Sequence, residues 1–465
     1  MTYFRISYRP QSGSTEYPQN LSMENILHDC AELGTAHTLW LNDLFPYPNA
    51  YAGQRVFVLG GGPSLKGFDF SQLDGQIVLG ANRAFEQAQT CMAISMDTRF
   101  YGWVINGVLG TDALEKWGDF YGPKVFTLRP TNCELFPERI WRVNKPIQNH
   151  KYPPTLKRGI GDSYSSGHAA MMIAWAMGAK EIVLLGLDMN GDGNGLQEWH
   201  HEAYPKVQKD ACYTVMLRDF ERTFNPMVMD GVNVINMVDP QRPSRIPHWE
   251  QRPLAELNTV LPRKSMPVCY GYYTEGTDYY AEAKLMRMSC RAFGLEAHIL
   301  PVENQGSWQA NTLYKPKAVL QALNHAGGRP ILFLDCDARM RAFPALFDGF
   351  EAEVGYSVFD WAEIGGRRSK AQEVSSAVLY LKDTPGVREF LHRWIEACDK
   401  MGLENDQTRM GNVLLPMIEG GLSAQRIPHS YNQIFDSMGH LGNPIIEQMQ
   451  ASRRLKQIIN TGETQ

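Results

Sequence analysis

The run Ile331-Leu332-Phe333-Leu334 leads straight into Asp335-Cys336-Asp337, which sets two carboxylates one residue apart at the end of an apolar segment. Such a segment reads as a buried strand, and ligands of α/β sheets bind outside the carboxyl ends of the strands. Two carboxylates on one turn can share a hard divalent cation, and that cation can neutralise a phosphorylated leaving group. D-x-D also caps helices, so the pair alone does not separate the two uses. A second set of chemistry-bearing residues lies earlier. Gly60-Gly61-Gly62-Pro63-Ser64 follows the apolar run Val56-Phe57-Val58-Leu59, and glycine there lets backbone amides approach a phosphate or ribose. Asn82 ends the next apolar run, Asp162 to Gly167 opens an Ala/Met-rich segment in which Ser166 and Gly167 face a helix start, and Asp188 ends IVLLGLD. Gly191-Asp192-Gly193 and Trp199-His200-His201-Glu202 come next. His200 or His201 can take a proton from a hydroxyl near neutral pH, although adjacent histidines on a loop are also read as simply exposed.

Positioning these groups requires strands and helices in alternation. RVFVL, QIVLGA, KVFTL and EIVLL are continuous apolar runs, and SSGHAAMMIAWAMGA is helical in composition. Continuous runs alternating with helices predict a mostly parallel sheet covered on both faces. Residues 22–45 carry apolar positions at helical spacing and predict an appended helix over residues 1–50. The proline-bearing polar stretch 238–265 has the composition of an inter-domain connection. Beyond it, MPVCYGYY, EAHILPV and PILFLDCDA alternate with two helical segments, a second α/β unit. The expected domains are therefore 51–250 and 265–465.

With 465 residues the chain is too long for one ordinary core. Hydrophobic residues at 43% and charged residues at 20% are those of compact domains. No run of eighteen apolar residues occurs, so no membrane span is expected. Eight cysteines stand singly, without metal-ligand spacing, which points to reduced thiols and a cytoplasmic protein. The net charge of -5, with basic runs only at Arg367–Lys370 and Arg453–Lys456, leaves no strong nucleic-acid footprint.

The segment 266–456 resembles the GT-A class of nucleotide-diphospho-sugar glycosyltransferases. The D-x-D strand, the preceding WQANTLYKPKAVL, the downstream VSSAVLYLK and the Glu404-Asn405-Asp406-Gln407 group all stand in that order. The resemblance implies a nucleotide-sugar donor, most simply a UDP-sugar, contacted by Asn311, Lys315 and Ser376, with Ser375 beside it. It implies Mn²⁺ or Mg²⁺ on Asp335 and Asp337, and Asp406 orienting a hydroxyl or the donor sugar. His429 or His440 is then the candidate third ligand, since Gln448 stands at the related position. Residues 55–240 resemble the fold of the bacterial family 42 sialyltransferases and of the related DUF115, pterin-pyrophosphokinase-like proteins. The resemblance rests on Gly60–Leu65, on Asn82, and on the pairing of Ser166-Gly167 with the KEIVLLGLD strand. It implies that Gly61, Gly62, Pro63, Ser64, Asn82, Ser166, Gly167 and Asp188 handle a nucleotide, with His200 or His201 as base. Together these imply two Rossmann-like α/β/α domains, the second GT-A-like.

Three function classes follow from this reading. The first is metal-dependent glycosyl transfer in the second domain, with the first domain performing a second transfer or holding nucleotide or acceptor. The second is nucleotidyl or pyrophosphoryl transfer in the first domain, with Asp188 and Asp192 helping to bind Mg²⁺, and the third is a nucleotide- or glycan-binding module. Acceptor loops vary, so glycan, protein and a hydroxylated base of viral DNA all stay open, as does the oligomeric state.

Overall fold

The computed structural model describes residues 38–127, 140–143, 152–161, 163–191, 194–201, 204–205, 209–262, 265–364, 372–400, 402 and 404–453. Most of the expected N-terminal helix, Asp162, Asp192, Gly193, Glu202, and the basic groups Arg367–Lys370 and Arg454–Lys456 lie outside these residues. The chain divides into two compact units, Met1–Leu261 and Pro262–Gln465.

Among the described residues of the first unit, nine strands form one sheet in the order β1-β6-β5-β4-β3-β2-β7-β8-β9. They are β1 (Thr38–Trp40), β2 (Arg55–Leu59), β3 (Ile77–Ala81), β4 (Met92–Ser95), β5 (Lys124–Phe126), β6 (Ile140–Arg142), β7 (Glu181–Leu185), β8 (Asn233–Val238) and β9 (Glu250–Pro253). Every neighbouring pair is parallel. The apolar runs are continuous because the sheet is covered on both faces. On one face Phe57, Leu59, Val183, Leu185 and Met237 pack with Leu65 and Leu257. Helices α1 (Thr98–Ile105) and α2 (Thr111–Asp119) close the β4 to β6 end around Trp117. Helix α3 (Ser166–Ala176) is buried on every side, which explains why its Ala/Met composition shows no amphipathic period. Helix α4 (Cys212–Met229) leads into β8.

Two local expectations are corrected. Thr38–Trp40, inside the stretch expected to be helical, is a strand paired with β6, followed by a single helical turn over Leu41–Leu44. The polar stretch expected to be a connection contributes β9, an edge strand ending at Pro253, where the missing amide of proline costs no ladder bond. Short edge strands take their conformation from the partner more than from their own composition.

The second unit has a mixed sheet in the order β11-β10-β12-β15-β14-β16 and a small sheet β13-β18-β17. The strands are β10 (Val268–Thr274), β11 (Ala297–Val302), β12 (Ile331–Leu334), β13 (Ala338–Met340), β14 (Val354–Asp360), β15 (Gln372–Leu381), β16 (Ala424–Arg426), β17 (Gln433–Ile434) and β18 (Ile446–Gln448). β10, β11 and β12 run parallel, and β15 enters antiparallel between β12 and β14. Helices α5 (Tyr279–Arg291), α6 (Trp308–Leu313), α7 (Lys315–His325), α8 (Pro385–Asp399) and α9 (Asp406–Glu419) complete the unit. Its main core joins Phe333, Leu379, Leu381, Phe390, Trp394 and Met410, each fully buried.

Gly60 follows β2 where a Cβ would lie 2.5 Å from the Gly186 carbonyl oxygen. Backbone cannot yield there as a side chain can, so Gly60→Ala is expected to cost the first unit about 1–3 kcal/mol, read as a lower urea midpoint for that unit.

Candidate active site

The second unit brings together four residues far apart in sequence. Lys315 opens α7, Asp335 follows β12, Ser376 lies on β15 and Asp406 opens α9. The Lys315 Nζ lies 2.7 Å from Asp335 Oδ1 and 3.3 Å from Asp406 Oδ2, and donates to Ser376 Oγ at 3.0 Å. Ser376 Oγ donates in turn to Asp406 Oδ2 at 2.8 Å. Lys315, Ser376 and Asp406 are buried, while the Asp335 side chain is 30% exposed. The cluster therefore opens to solvent at Asp335. Burial alone would pull the Lys315 ammonium down, but the Asp335 and Asp406 carboxylates outweigh it and hold its pKa well above the ordinary lysine value.

Each member is fixed by its element. The Asp335 amide donates to the Ala377 carbonyl at 2.9 Å, and the Ala338 amide returns to the Asp335 carbonyl at 2.9 Å, closing a turn around D-x-D. Asn405 caps α9 by accepting from the Thr408 amide at 2.8 Å, and the buried Trp394 indole donates to the Asp406 carbonyl at 3.1 Å. Asn432 donates to Ser357 and Ser375 at 2.7 and 2.9 Å, tying β14 to β15 beneath the cluster. Tyr272 and Tyr279, which no sequence motif singles out, lie close enough to the D-x-D carboxylates for these to raise their phenols, after burial, above the ordinary tyrosine value. Nothing in their local sequence sets them apart from core aromatics.

Asp337 is buried and accepts from the Ala451 amide at 2.6 Å. Its pKa rises from 3.8 to about 6, first because it is buried and second because Asp335 stands beside it. A buried carboxylate whose ionisation is opposed by a neighbouring one is a place where a cation is stabilised. Gln448 adds to this: it is buried on β18 opposite Ala338, and both its amide atoms lack a hydrogen-bond partner among the described residues. These residues fit Mg²⁺ or Mn²⁺, which hold to one or two carboxylates and complete their shell with water and phosphate oxygens. Among the described residues no three His, Cys, Asp or Glu side chains gather as a metal site. His429, the expected third ligand, opens the turn before β17. The Asn311 side chain is also engaged away from the cluster. It accepts from the Gln305 amide at 2.7 Å and donates to Asn304 at 3.2 Å, holding the loop before α6.

The first unit gathers its own set at the carboxyl ends of β2, β3 and β7. Strand order reverses between β2 and β7, the position where open α/β sheets bind ligands. The Asp188 carboxylate accepts from Ser64 N and Ser64 Oγ, both at 2.7 Å, and burial raises its pKa despite these bonds. Gly62 has no room for a Cβ, which would meet Asp188 Oδ2 at 2.5 Å. Pro63 lies between them in a buried turn. Asn82 adopts φ 51° and accepts from Ser166 Oγ at 2.9 Å. At Gly167 a Cβ would fall 2.4 Å from Leu187. The His200 amide donates to the Gly61 carbonyl at 3.0 Å, so the Trp199–His201 loop lies against the glycine turn. There the His201 ring stacks on Trp199, and its Nε2 would lie 2.7 Å from a Cβ added at Gly61. Desolvation lowers the His200 pKa against an opposing effect of the Gly61 and Gly62 backbone, leaving a neutral imidazole at pH 7.

No family model matches the chain. No curated protein matches it either. Solved structures to which it is similar include glycosyltransferases. One is described as a glycosyltransferase involved in the glycosylation of the major capsid of PBCV-1, with 14% identity over 42% of this chain and 100% of that one, and a TM-score of 0.34. Another is mouse xyloside xylosyltransferase 1, with 10% identity over 40% of this chain and 98% of that one, TM-score 0.25. A third is the glycosyltransferase GlyE of Streptococcus pneumoniae TIGR4, with 11% identity over 39% of this chain and 54% of that one, TM-score 0.27. Likeness at this level transfers no residue role or substrate.

The raised Asp337 pKa has a consequence for the metal-free protein. Between pH 3.8 and about 6 the folded state holds a proton that the unfolded chain has released, so stability from this group falls as pH rises through that window. Urea midpoints measured across it should decline in the wild type, and Asp337→Asn should flatten that decline.

Proposed function

We propose that the chain is a glycosyltransferase that moves a sugar from a nucleotide-sugar donor, most simply a UDP-sugar, to a hydroxyl acceptor, with Mn²⁺ or Mg²⁺ held at Asp335 and Asp337. The observation that carries this reading is the ammonium of Lys315 set between Asp335 and Asp406 at the carboxyl end of β12. When bound, the cation supplies Lewis-acid stabilisation to a departing diphosphate. Lys315 stands beside it as a second positive charge for the same oxygens, already placed and desolvated. Ser376 fixes the Lys315 and Asp406 head groups relative to each other. Asp406, at the start of α9, is left to accept a hydrogen bond from a donor-sugar or acceptor hydroxyl. No helix among the described residues is long and apolar enough to cross a membrane. The described cysteines are free thiols, which accords with the reducing environment of the cytoplasm.

A second reading belongs to the first unit and is favoured by the set at its strand reversal. Gly61, Gly62, Ser64, Asn82, Ser166 and Asp188 would hold a nucleotide, with His200, neutral at pH 7, or His201 as base for a nucleotidyl or pyrophosphoryl transfer or a second glycosyl transfer. ATP consumed without any nucleotide sugar, and lost in His201→Ala with Asp335→Asn unaffected, is the outcome expected of the nucleotidyl or pyrophosphoryl form.

The donor reading is tested by thermal stabilisation with UDP-, GDP- and CMP-sugars, with and without Mn²⁺. A Mn²⁺-dependent shift with a UDP-sugar, lost in Asp335→Asn and weakened at least about tenfold in affinity in Lys315→Ala, is expected from the loss of a charge-assisted contact. No shift with any nucleotide sugar would overturn it.

A further inference from the structure

Beside the Asp335 cluster runs a polar chain that the proposed donor site does not use. Gln407, next to Asp406, accepts from the Ser376 amide at 3.4 Å through Oε1 and donates from Nε2 to Glu373 Oε1 at 2.7 Å. The other oxygen of Glu373 accepts from the Trp361 indole N–H at 2.9 Å. Both Glu373 oxygens are thus engaged, which suits the carboxylate to holding the indole in place. Trp361 begins a single helical turn at the end of β14 and is half-buried. Its ring lies 5.4 Å from that of Phe359, tilted by 44°. Phe359, Ile364, Ile434 and Met438 form a compact apolar cluster against which Trp361 packs.

A half-buried indole of fixed orientation, linked through two side chains to the serine that binds Lys315 and Asp406, is suited to one kind of substrate. A pyranose ring presents an apolar C–H face to an aromatic plane while its hydroxyls meet carboxylates and amides. We propose that Trp361 is the platform on which the acceptor stacks and that the acceptor is a sugar ring, with Glu373 and Gln407 as positioning residues. This rests on the glycosyl-transfer reading and names its acceptor class. A nucleobase also stacks on indole, but the carboxylates beside this position are Asp360, which precedes Trp361 and accepts from the Ala362 amide, and Glu373, which accepts from the indole. These repel a phosphate backbone and accept hydrogen bonds from a neutral polyol.

The experiment is saturation-transfer NMR on the full chain with methyl glycosides of glucose, galactose, mannose and N-acetylglucosamine, each with UDP and Mn²⁺ present. The wild type is expected to saturate the ring C–H protons of at least one glycoside. Trp361→Ala should weaken that glycoside about tenfold, Trp361→Phe should restore part of the loss, and Glu373→Gln should fall between. UDP affinity by calorimetry should be unchanged in all three variants. The proposal is overturned if the wild type saturates none of the glycosides, if Trp361→Ala binds as the wild type does, or if oligothymidylate displaces the glycoside in a Trp361-dependent way. Failure of UDP to bind the wild type would sink the donor reading instead, independently of the glycoside result.

Discussion

The second unit depends on one buried ammonium. Lys315 leaves water on folding, a transfer that costs several kcal/mol unless the charge is met by close partners. Its partners are contributed by three other elements: Asp335 by the end of β12, Ser376 by β15 and Asp406 by the first turn of α9. Neither carboxylate can shift without leaving a charge uncompensated, so the ends of three elements are held in one place against the middle of β15. The arrangement also leaves excess negative charge at the open side, since Asp337 adds a third carboxylate that the lysine does not touch. Burial and the neighbouring Asp335 carboxylate both oppose ionisation of Asp337.

The first unit solves a similar positioning problem without a buried lysine. Its reversal point uses the close approach of backbone, with Gly60 and Gly62 leaving space for the Gly186 carbonyl and the Asp188 carboxylate. Asp188 accepts from the Ser64 amide and hydroxyl, so this carboxylate shapes the glycine turn. Beside this turn stand Asn82, held in a left-handed conformation, and the histidine loop over Gly61. Strain of this kind is held by surrounding packing and gathers at functional positions.

The two units share a parallel α/β plan but present different chemistry at their strand ends. In the first, glycine, serine, asparagine and neutral imidazole make a hydrogen-bonding surface of low charge. In the second, carboxylates and one ammonium make a strongly polar one.

Much of the fold was legible in the sequence, because strands buried on both faces must be continuous apolar runs and those runs stand out between helical segments. Lys315, Asp335, Ser376 and Asp406 could each be singled out from their local motifs, and so could the glycine turn, Asn82, Ser166 and Asp188. Local pattern failed where conformation is imposed from outside. Thr38–Trp40 and Glu250–Pro253 are strands because β6 and β8 offer them a ladder. Asn311 and Lys315 stand four residues apart, yet one holds a loop and the other the charged cluster. Trp361 and Glu373 carry no motif, and their pairing exists only because β14 and β15 lie side by side. The sequence by itself determined which residue types were present and which segments would be buried, since both follow from local composition and period. The tertiary structure alone decided which carboxylate meets the lysine, which meets a backbone amide and which holds an indole. Hydrogen bonds and ion pairs act over about 3 Å, and only chain folding brings residues so distant in sequence within that range.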